Sequence, residues 1–326
     1  MKKRLLSGMR PTGKLHLGHL VGALQNWVKL QEEYECFFMV ADWHALMSEY
    51  EDSSHIREYS LDNVADWISC GLDPKKSTIF IQSEVPEHLD LYMFLSCLTP
   101  LGWLERCPTY KEQLQEIKTR DLHTFAFLGY PVLQAADILL YKSSAVPVGN
   151  DQLPHLEICR EIARRFNHLY KKQLFPEPQS LLTEVPRLLG LDGRKMSKSY
   201  NNTVDLSDSP SVIKTKIASM ITDPKRIKKT DPGHPEVCNV HSYYAVFAPE
   251  MKKEVEDWCR HARKGCIECK QILAQRLINI LEPIQEKRHE LLKDKNKLSD
   301  ILSDGNQRAK KIAAQNLEEV KRTIFK

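Results

Sequence analysis

The sequence has no long apolar run, no internal repeat and little net charge, and each absence excludes a class of protein. Met1–Arg4 is basic, but only Leu5 and Leu6 follow before Ser7 and Gly8, so neither a signal-peptide core nor a membrane span is expected. The formal net charge is +4 in 326 residues, of which 42% are hydrophobic and 28% are charged. These values predict a soluble, cytoplasmic, globular protein with one large or two moderate domains.

The net charge is unevenly distributed along the chain. Residues 206–326 contain 24 lysines and arginines against 17 aspartates and glutamates, whereas residues 1–205 are slightly acidic. The C-terminal part is therefore the better candidate for binding a phosphate backbone, although a solvated basic helical face would produce the same excess.

The stretch Gly8–His19 follows an apolar pair and precedes a long amphipathic pattern. It therefore predicts a strand, a glycine-containing turn and the start of a helix. The first turn of a helix has unpaired N–H groups and a partial positive charge, which suit a phosphate. His16 and His19 would share one face of that turn, where both could donate to phosphate oxygens. An ordinary strand-to-helix turn with surface histidines is the alternative.

A second polar stretch, Asp192–Ser199, contains two lysines three residues apart, flanked by small hydroxyl residues. Such a loop could close over a polyphosphate. On its own it is equally typical of a solvated surface loop.

Apolar segments at Cys36–Asp42 and Ser77–Gln82 predict buried strands, and residues 54–70 between them have helical spacing that ends at Gly71. Strands that alternate with helices predict a parallel sheet, an α/β fold whose ligands bind at the carboxyl ends of the strands. His44 follows the second strand and is expected at such an end.

The segment Tyr130–Tyr141 is an apolar helix with a polar stripe. Pro131 predicts its first turn. Tyr130, Gln134, Asp137 and Tyr141 are spaced by four, three and four residues, so they share one face. An unpaired buried carboxylate or amide costs a few kcal/mol, so either the protein or a ligand must satisfy these groups.

The later part of the chain predicts one more strand and then helices. Ala145–Gln152 reads as a strand that ends in a polar turn, followed by a helix over His155–Tyr170. Beyond Ser209 and Pro210 helical spacing dominates, so a domain change is expected near residue 206, dividing the chain into 1–205 and 206–326. The expected helices there span residues 211–221, 241–264, 268–293 and 306–324.

Nine cysteines without an export signal predict reduced thiols or a metal site rather than a disulfide scaffold. Cys238, Cys259, Cys266 and Cys269 form the spacing C-x20-C-x6-C-x2-C. Four cysteines with this pattern are compatible with zinc, with a [4Fe–4S] cluster, or with unligated structural thiols.

Two stretches resemble the signatures of class I aminoacyl-tRNA synthetases. His16-Leu17-Gly18-His19 is similar to the HIGH signature, with Leu17 in place of isoleucine, and Lys195–Ser199 matches KMSKS letter for letter. The run from Val146 to Asn167 narrows the resemblance, which covers the whole chain, to the bacterial tryptophanyl-tRNA synthetases. It implies a Rossmann-like catalytic domain with a smaller all-helical C-terminal domain that binds the anticodon, and a homodimer.

The resemblance implies that ATP and L-tryptophan react, helped by Mg²⁺, to give tryptophanyl-adenylate, and that the amino acid is then transferred to tRNA(Trp). His16, His19, Lys195 and Lys198 would act on the phosphates as the catalytic residues. The ATP-binding residues that it implies are Gly8, Met9, Arg10, Thr12, His16, Gly18, His19, Gly149, Asp151, Lys195, Met196, Ser197 and Lys198.

Asp137 would accept the indole N–H and so reject phenylalanine. The other tryptophan-binding residues implied are Leu6, Ser7, His44, Tyr130, Gln134, Val146, Val148 and Gln152. Gln134 stands where many of these enzymes have methionine, and Arg10 where many have glutamine. The tyrosyl-tRNA synthetases, which use a similar Gln-x-x-Asp pair, are the nearest alternative, and a synthetase-like protein that binds RNA without charging it is another.

Some bacterial tryptophanyl-tRNA synthetases hold a [4Fe–4S] cluster on four cysteines that end in the same C-x6-C-x2-C. The resemblance therefore implies this cluster on Cys238, Cys259, Cys266 and Cys269, with Zn²⁺ as the alternative. The first gap is about two residues shorter than in those enzymes, and this departure from the pattern concerns Cys238.

Overall fold

The computed structural model describes residues 2–116, 120–182, 188–197 and 200–325. Contacts between residues divide the chain into two compact units. The first comprises residues 1–13, 27–183 and 294–326, and the second comprises residues 14–26 and 184–293. The expected domain change near residue 206, which was placed where helical spacing begins to dominate, stays a prediction. Within the described residues no helix is both long enough and apolar enough to cross a membrane.

A five-stranded, fully parallel sheet forms the centre of the first unit. Its order is β3-β2-β1-β4-β5, so the first strand lies in the middle and the order reverses between β1 and β4. This confirms the predicted Rossmann-like α/β fold. The strands are β1 (Arg4–Met9), β2 (Glu35–Val40), β3 (Ser77–Ile81), β4 (Ala145–Val148) and β5 (Gln179–Leu182).

Helices connect the strands and make up most of the second unit. The first two are joined by a π-helical turn over Leu20–Leu24. The helices are α1 (Leu17–His19), α2 (Gln25–Glu33), α3 (Asp42–Glu49), α4 (Ile56–Ser69), α5 (Glu87–Ser96), α6 (Leu101–Glu105), α7 (Pro108–Glu116), α8 (Phe125–Leu140), α9 (Leu153–Leu169), α10 (Pro210–Ser219), α11 (Asn239–Phe247), α12 (Lys252–Arg260), α13 (Cys266–Lys293) and α14 (Lys295–Ile324).

Helix α14 covers the outer strand β3. A side chain at Gly305 would collide with the carbonyl oxygen of Ile79, so the helix lies directly on the strand. The amide of Ile81 donates to Asn306 Oδ1 at 2.9 Å, and Arg308 donates to the carbonyl of Pro74 at 2.8 Å. The edge of the sheet is thereby protected from pairing with another strand.

Three local predictions were wrong. Helix α8 begins at Phe125, where Thr124 accepts from the Phe127 amide as an N-cap, so Pro131 lies inside the helix and not in its first turn. The expected helix over 241–264 is interrupted at Pro249, and the last helix begins at Lys295 rather than at 306. Strand β5 was missed because its four residues lie in a stretch that reads as loop.

Candidate active site

A cavity of about 290 Å³ lies in the first unit, where β1 and β4 run side by side. Parallel α/β sheets bind ligands where the strand order reverses, as it does between these strands. The volume is close to the ~300 Å³ at which small-molecule sites begin. All nine residues predicted to bind the amino acid line this cavity: Leu6, Ser7, His44, Tyr130, Gln134, Asp137, Val146, Val148 and Gln152.

Asp137 is a buried carboxylate of this cavity, with three donors around it. Its Oδ2 accepts from His44 Nε2 at 2.8 Å, and its Oδ1 accepts from Gln82 Nε2 at 2.8 Å and from His88 Nδ1 at 2.7 Å. Burial by itself would raise the pKa of Asp137, but hydrogen bonds from His44 and His88 outweigh burial and lower the pKa to about 2. Asp137 is therefore ionised at neutral pH.

His88 and Gln82 contact Asp137 directly, and the sequence reasoning missed both. His88 is fully buried, and because its Nδ1 donates to Asp137, its Nε2 accepts from the hydroxyl of Tyr141 at 2.9 Å. Tyr141 is therefore satisfied within the protein, whereas the other three members of the polar stripe line the cavity. Gln82 could have been found, since it follows β3 as His44 follows β2; no pattern marks His88.

A second hydrogen-bonded chain lines the same cavity. The hydroxyl of Tyr130 and His155 Nε2 are 2.6 Å apart, and His155 Nδ1 is 3.0 Å from Gln152 Oε1. Gln152 Nε2 donates in turn to Asp151 Oδ2 at 3.1 Å. Burial lowers the pKa of His155 to about 4, so its ring is neutral. The sequence analysis identified His155 only as the first residue of a predicted helix.

Apolar side chains form the remaining walls. Phe127 packs against Tyr130 with ring centroids 5.3 Å apart. A flat aromatic ligand would therefore find both apolar walls and a buried acceptor, which is the usual composition of a selective small-molecule site. The apolar residues on the lining, besides those predicted, are Met39, Ala41, Met47, Phe127, Ile138 and Pro147.

The histidine pair lies in the second unit, at the predicted helix start. The amide of Gly18 donates to His16 Nδ1 at 3.1 Å, and the amide of His16 donates to His19 Nδ1 at 3.2 Å. Because each Nδ1 accepts, the proton of each neutral ring is on Nε2. The two ring centroids are 3.9 Å apart, so both Nε2–H groups lie close together at the start of the helix.

The second signature lies beside the first within this unit. A Cβ added at Gly18 would be 3.3 Å from the Sδ of Met196, so a side chain at position 18 would crowd the loop. The side chain of Lys195 is exposed, and Ser197 is half-buried. Lys198 and Ser199 lie outside the described residues.

Buried Asn202 holds this loop in place and was missed by the sequence reasoning. Its Oδ1 accepts from the Ser197 amide at 2.8 Å, and its Nδ2 donates to the Lys195 carbonyl at 3.1 Å and to Asp192 Oδ1 at 2.7 Å. One side chain therefore ties together both ends of the described loop.

The remaining residues predicted to bind ATP lie at the ends of β1 and β4. Gly8 and Arg10 line the cavity, and a Cβ at Gly8 would be 2.7 Å from the carbonyl oxygen of Met39. Met9 ends β1, and the Thr12 amide donates to the Arg10 carbonyl at 2.9 Å in the turn that follows. Gly149 and Asp151 follow β4, where a side chain at 149 would crowd Asp151 Oδ1.

The four cysteines of the C-terminal motif line one small cavity of about 30 Å³ in the second unit. Burial raises the pKa of Cys269 to about 12, and it also raises the pKa of Cys259. A Cβ at Gly233 would be 2.5 Å from Cys259 Sγ, so this sulfur is held against bare backbone. Among the described residues no three histidine, cysteine or carboxylate side chains are arranged as metal ligands.

Residues 1–282 match the family described as tRNA synthetases class I (W and Y). The chain is 50% identical to the tryptophan–tRNA ligase of Thermotoga maritima, with 98% of each chain covered, and 44% identical to that of Aquifex aeolicus, with 98% of this chain and 99% of that one covered. The crystal structure of Campylobacter jejuni tryptophanyl-tRNA synthetase complexed with ADP and tryptophan superposes with a TM-score of 0.90 at 35% identity, covering 99% of this chain and 100% of that one.

Proposed function

The chain belongs to the class I tRNA synthetases that use tryptophan or tyrosine, and on that premise we propose how its residues carry out the reaction. The enzyme is a tryptophan–tRNA ligase, which activates L-tryptophan with ATP and transfers it to tRNA(Trp). The observation that carries the assignment of residues is the cavity at the reversal of strand order, with one ionised, buried carboxylate among apolar walls.

Asp137 accepts the indole N–H of tryptophan. A carboxylate has about four positions for accepting hydrogen bonds. Gln82 and His88 occupy two on Oδ1, and His44 occupies one on Oδ2, so one position on Oδ2 is left for the indole. Phenylalanine has no donor and would leave this acceptor unsatisfied, at a cost of roughly 1–3 kcal/mol. Leu6, Val146 and Val148 pack on the ring.

The amino-acid end of the substrate lies at Tyr130 and Gln152. Both line the cavity and both carry oxygen atoms that can accept from an α-amino group. Gln134 and Ser7 also belong to the polar part of the lining. This orientation directs the carboxylate of tryptophan toward the nucleotide. Asp151 binds the ribose of the nucleotide, and Gly8 and Gly149, which have no side chains, allow the nucleotide to approach the backbone closely.

The first chemical step forms a bond between the tryptophan carboxylate oxygen and the α-phosphorus of ATP. The bond from that phosphorus to the bridging oxygen breaks, and pyrophosphate leaves with the electron pair. Since no proton needs to move, catalysis consists of positioning and stabilisation of charge. The Nε2–H groups of His16 and His19 donate to phosphate oxygens, and Lys195 and Lys198 neutralise the departing pyrophosphate. Mg²⁺, when bound with ATP, supplies further neutralisation.

The second step transfers tryptophan to the terminal ribose hydroxyl of tRNA(Trp). The excess of lysine and arginine in residues 206–326 supports binding of the tRNA backbone by this part of the chain. We further propose that the enzyme works as a homodimer in the cytoplasm, where tRNA and ATP are available.

Cys238, Cys259, Cys266 and Cys269 hold a [4Fe–4S] cluster, with zinc as the alternative. Four thiols are the donor type that such a cluster requires, and all four line one cavity, where bare backbone at Gly233 lies against Cys259 Sγ. Two cationic residues, Arg226 and Lys264, line the same cavity; burial raises the pKa of Cys259 but Arg226 acts to lower it, which suits an anionic cluster. When bound, the cluster would cross-link the loop before α11 to α12 and α13.

Anaerobic purification followed by iron, sulfide and zinc assays tests the cluster. We expect roughly four irons and four sulfides per chain and a broad absorption band near about 400 nm. Cys266→Ser is expected to lose the band, whereas Cys97→Ser, an exposed cysteine elsewhere, keeps it. Zinc without iron would contradict the cluster.

ATP–pyrophosphate exchange tests the assigned residues and the nearest alternatives together. We expect exchange with tryptophan and at least about 100-fold less with tyrosine or phenylalanine, because neither presents an indole N–H to Asp137. Exchange with tyrosine at a comparable rate would contradict this role of Asp137. Binding of tRNA without any exchange would instead favour a synthetase-like protein that does not charge tRNA.

A further inference from the structure

His155 lies in the cavity between two residues assigned to the amino-acid end of the substrate. It is 2% exposed, lines the cavity, and connects the hydroxyl of Tyr130 to the side-chain amide of Gln152. The reaction as derived above gives this histidine no role. Its hydrogen bonds nevertheless determine which atoms of its two neighbours can act as donors.

The direction of every hydrogen bond in this chain is set from one end. The carboxylate of Asp151 can only accept, so Gln152 must turn its Nε2 toward Asp151 Oδ2, 3.1 Å away. Gln152 Oε1 then faces His155 Nδ1 at 3.0 Å, and Nδ1 must carry the proton. A neutral imidazole has a single N–H, so Nε2 accepts and the hydroxyl of Tyr130 donates to it.

The neutral state of His155 is secured by its surroundings. Burial lowers the pKa of its ring to about 4, and nearby His44 lowers it further, whereas Asp151 acts in the opposite direction. At neutral pH the ring therefore stays in the single tautomer that the hydrogen bonds require. Protonation would make Nε2 a donor, and the hydroxyl of Tyr130 would then accept from it and turn its own proton away from His155.

This arrangement leaves acceptors on the substrate side. The proton of Tyr130 points to His155, so the phenol oxygen offers only lone pairs to the cavity. Gln152 Oε1 accepts once from His155 and keeps a second position. We propose that His155 is a positioning residue that makes this end of the cavity selective for a protonated α-amino group. The proposal rests on the placement of tryptophan given above.

Three ligands that share the indole ring test it. Tryptophan has both polar groups, tryptamine lacks the carboxylate, and indole-3-propionate lacks the amino group. Inhibition constants of the two analogues in tryptophan-dependent pyrophosphate exchange, and the dissociation constant of tryptophan, are measured for wild type and for His155→Phe. We expect tryptophan and tryptamine to bind about tenfold more weakly to the variant, and indole-3-propionate to change less than about twofold.

Tyr130→Phe provides the matched variant, because it removes the hydroxyl that His155 orients. It should give the same pattern, and the double variant should lose no more than about twofold beyond either single one, since both changes remove one unit. His155→Asn can still donate to Gln152 but cannot reach Tyr130. It therefore serves as a further test, and it replaces His155→Phe if that variant does not fold.

Equal weakening of all three ligands in these variants would overturn the proposal, because that result indicates only a change in cavity shape. No weakening of any ligand would overturn it as well. Failure of the underlying placement has a different result: Asp137→Asn would then leave the affinity of all three indoles unchanged, whatever the His155 variants do.

Discussion

At the scale of single residues, the site depends on which side-chain atoms carry a proton and which accept one in a hydrogen bond. Asp137 is surrounded by three donors and so remains a carboxylate in a buried position, ready to accept from a fourth. The pairs His16 with His19 and Tyr130 with His155 follow the same logic, since each ring nitrogen that accepts leaves a proton on the other.

Replacing Asp137 by asparagine should lower kcat/KM for tryptophan by at least about 100-fold in pyrophosphate exchange. The amide nitrogen of asparagine would face a donor, from Gln82, His88 or His44, and the indole would lose a charged acceptor. Gln134→Met is the control, because it changes the polar stripe without touching Asp137; we expect a change of less than about fivefold. A comparable loss in both variants would contradict the special role of the carboxylate.

The low pKa of Asp137 also makes a contribution to stability that depends on pH. The pKa falls from 3.8 to about 2 on folding, so the stabilisation is fully present above about pH 4 and is lost as the pH falls through 2. Its size is about 2 kcal/mol. The difference in unfolding free energy between wild type and Asp137→Asn, measured with urea, should therefore be smaller at pH 2.5 than at pH 6 by about 1–2 kcal/mol. A difference independent of pH would contradict the ionised state.

At the scale of elements, loops and helix ends carry the function while helices and strands position them. Asn202 shows this, because one amide holds the loop between Asp192 and Ser197. We expect Asn202→Ala to slow adenylate formation about tenfold and to leave tryptophan affinity within about twofold, since about three hydrogen bonds to the loop are lost. Asn279→Ala, on the exposed side of α13, is the matched control and should change neither. Single-turnover kinetics separate the two quantities.

A substitution at Gly305 tests how closely α14 packs against β3. Gly305→Ala would force α14 away from β3 and should lower the free energy of unfolding by about 2–4 kcal/mol. Gly22→Ala is the matched control, because in the described part of the chain no atom beyond its neighbours and its own helix backbone lies within 4 Å of the added Cβ, and the change should be neutral or slightly stabilising. Chemical denaturation measures both, and equal stability of the two variants would contradict the close contact at Ile79.

Much of this architecture follows from local patterns, and the exceptions have physical causes. Alternating apolar segments predicted four strands and the cavity at their carboxyl ends, and the resemblance supplied the side chains that line it. The last helix was expected to begin at residue 306, but Gly305 lies inside α14, where tertiary contact with β3 overrides its low helix propensity. His88 acts through a partner 49 residues away, which no local pattern shows.

At the scale of the whole molecule, the residues that we propose for binding tryptophan and those that we propose for pyrophosphate belong to different units. The cavity lined by Asp137 is built from the first unit, and both signatures belong to the second. Variants of the two groups should therefore have separable effects. Lys195→Ala and Lys198→Ala should lower kcat by at least about tenfold with the KM for tryptophan changed less than about threefold, whereas Asp137→Asn should raise that KM. Pyrophosphate exchange at varied tryptophan measures both, and equal losses of kcat and affinity in the lysine variants would contradict their assignment to phosphate.

The first unit is discontinuous, because β3 precedes residues 184–293 and α14 follows them. During synthesis on a ribosome, the intervening segment emerges before the helix that shields the outer strand. Backbone groups on that strand are thus open to mispairing for the time needed to make more than two hundred residues. A nascent chain stalled before residue 295 should be captured by chaperones, and release should follow extension through α14.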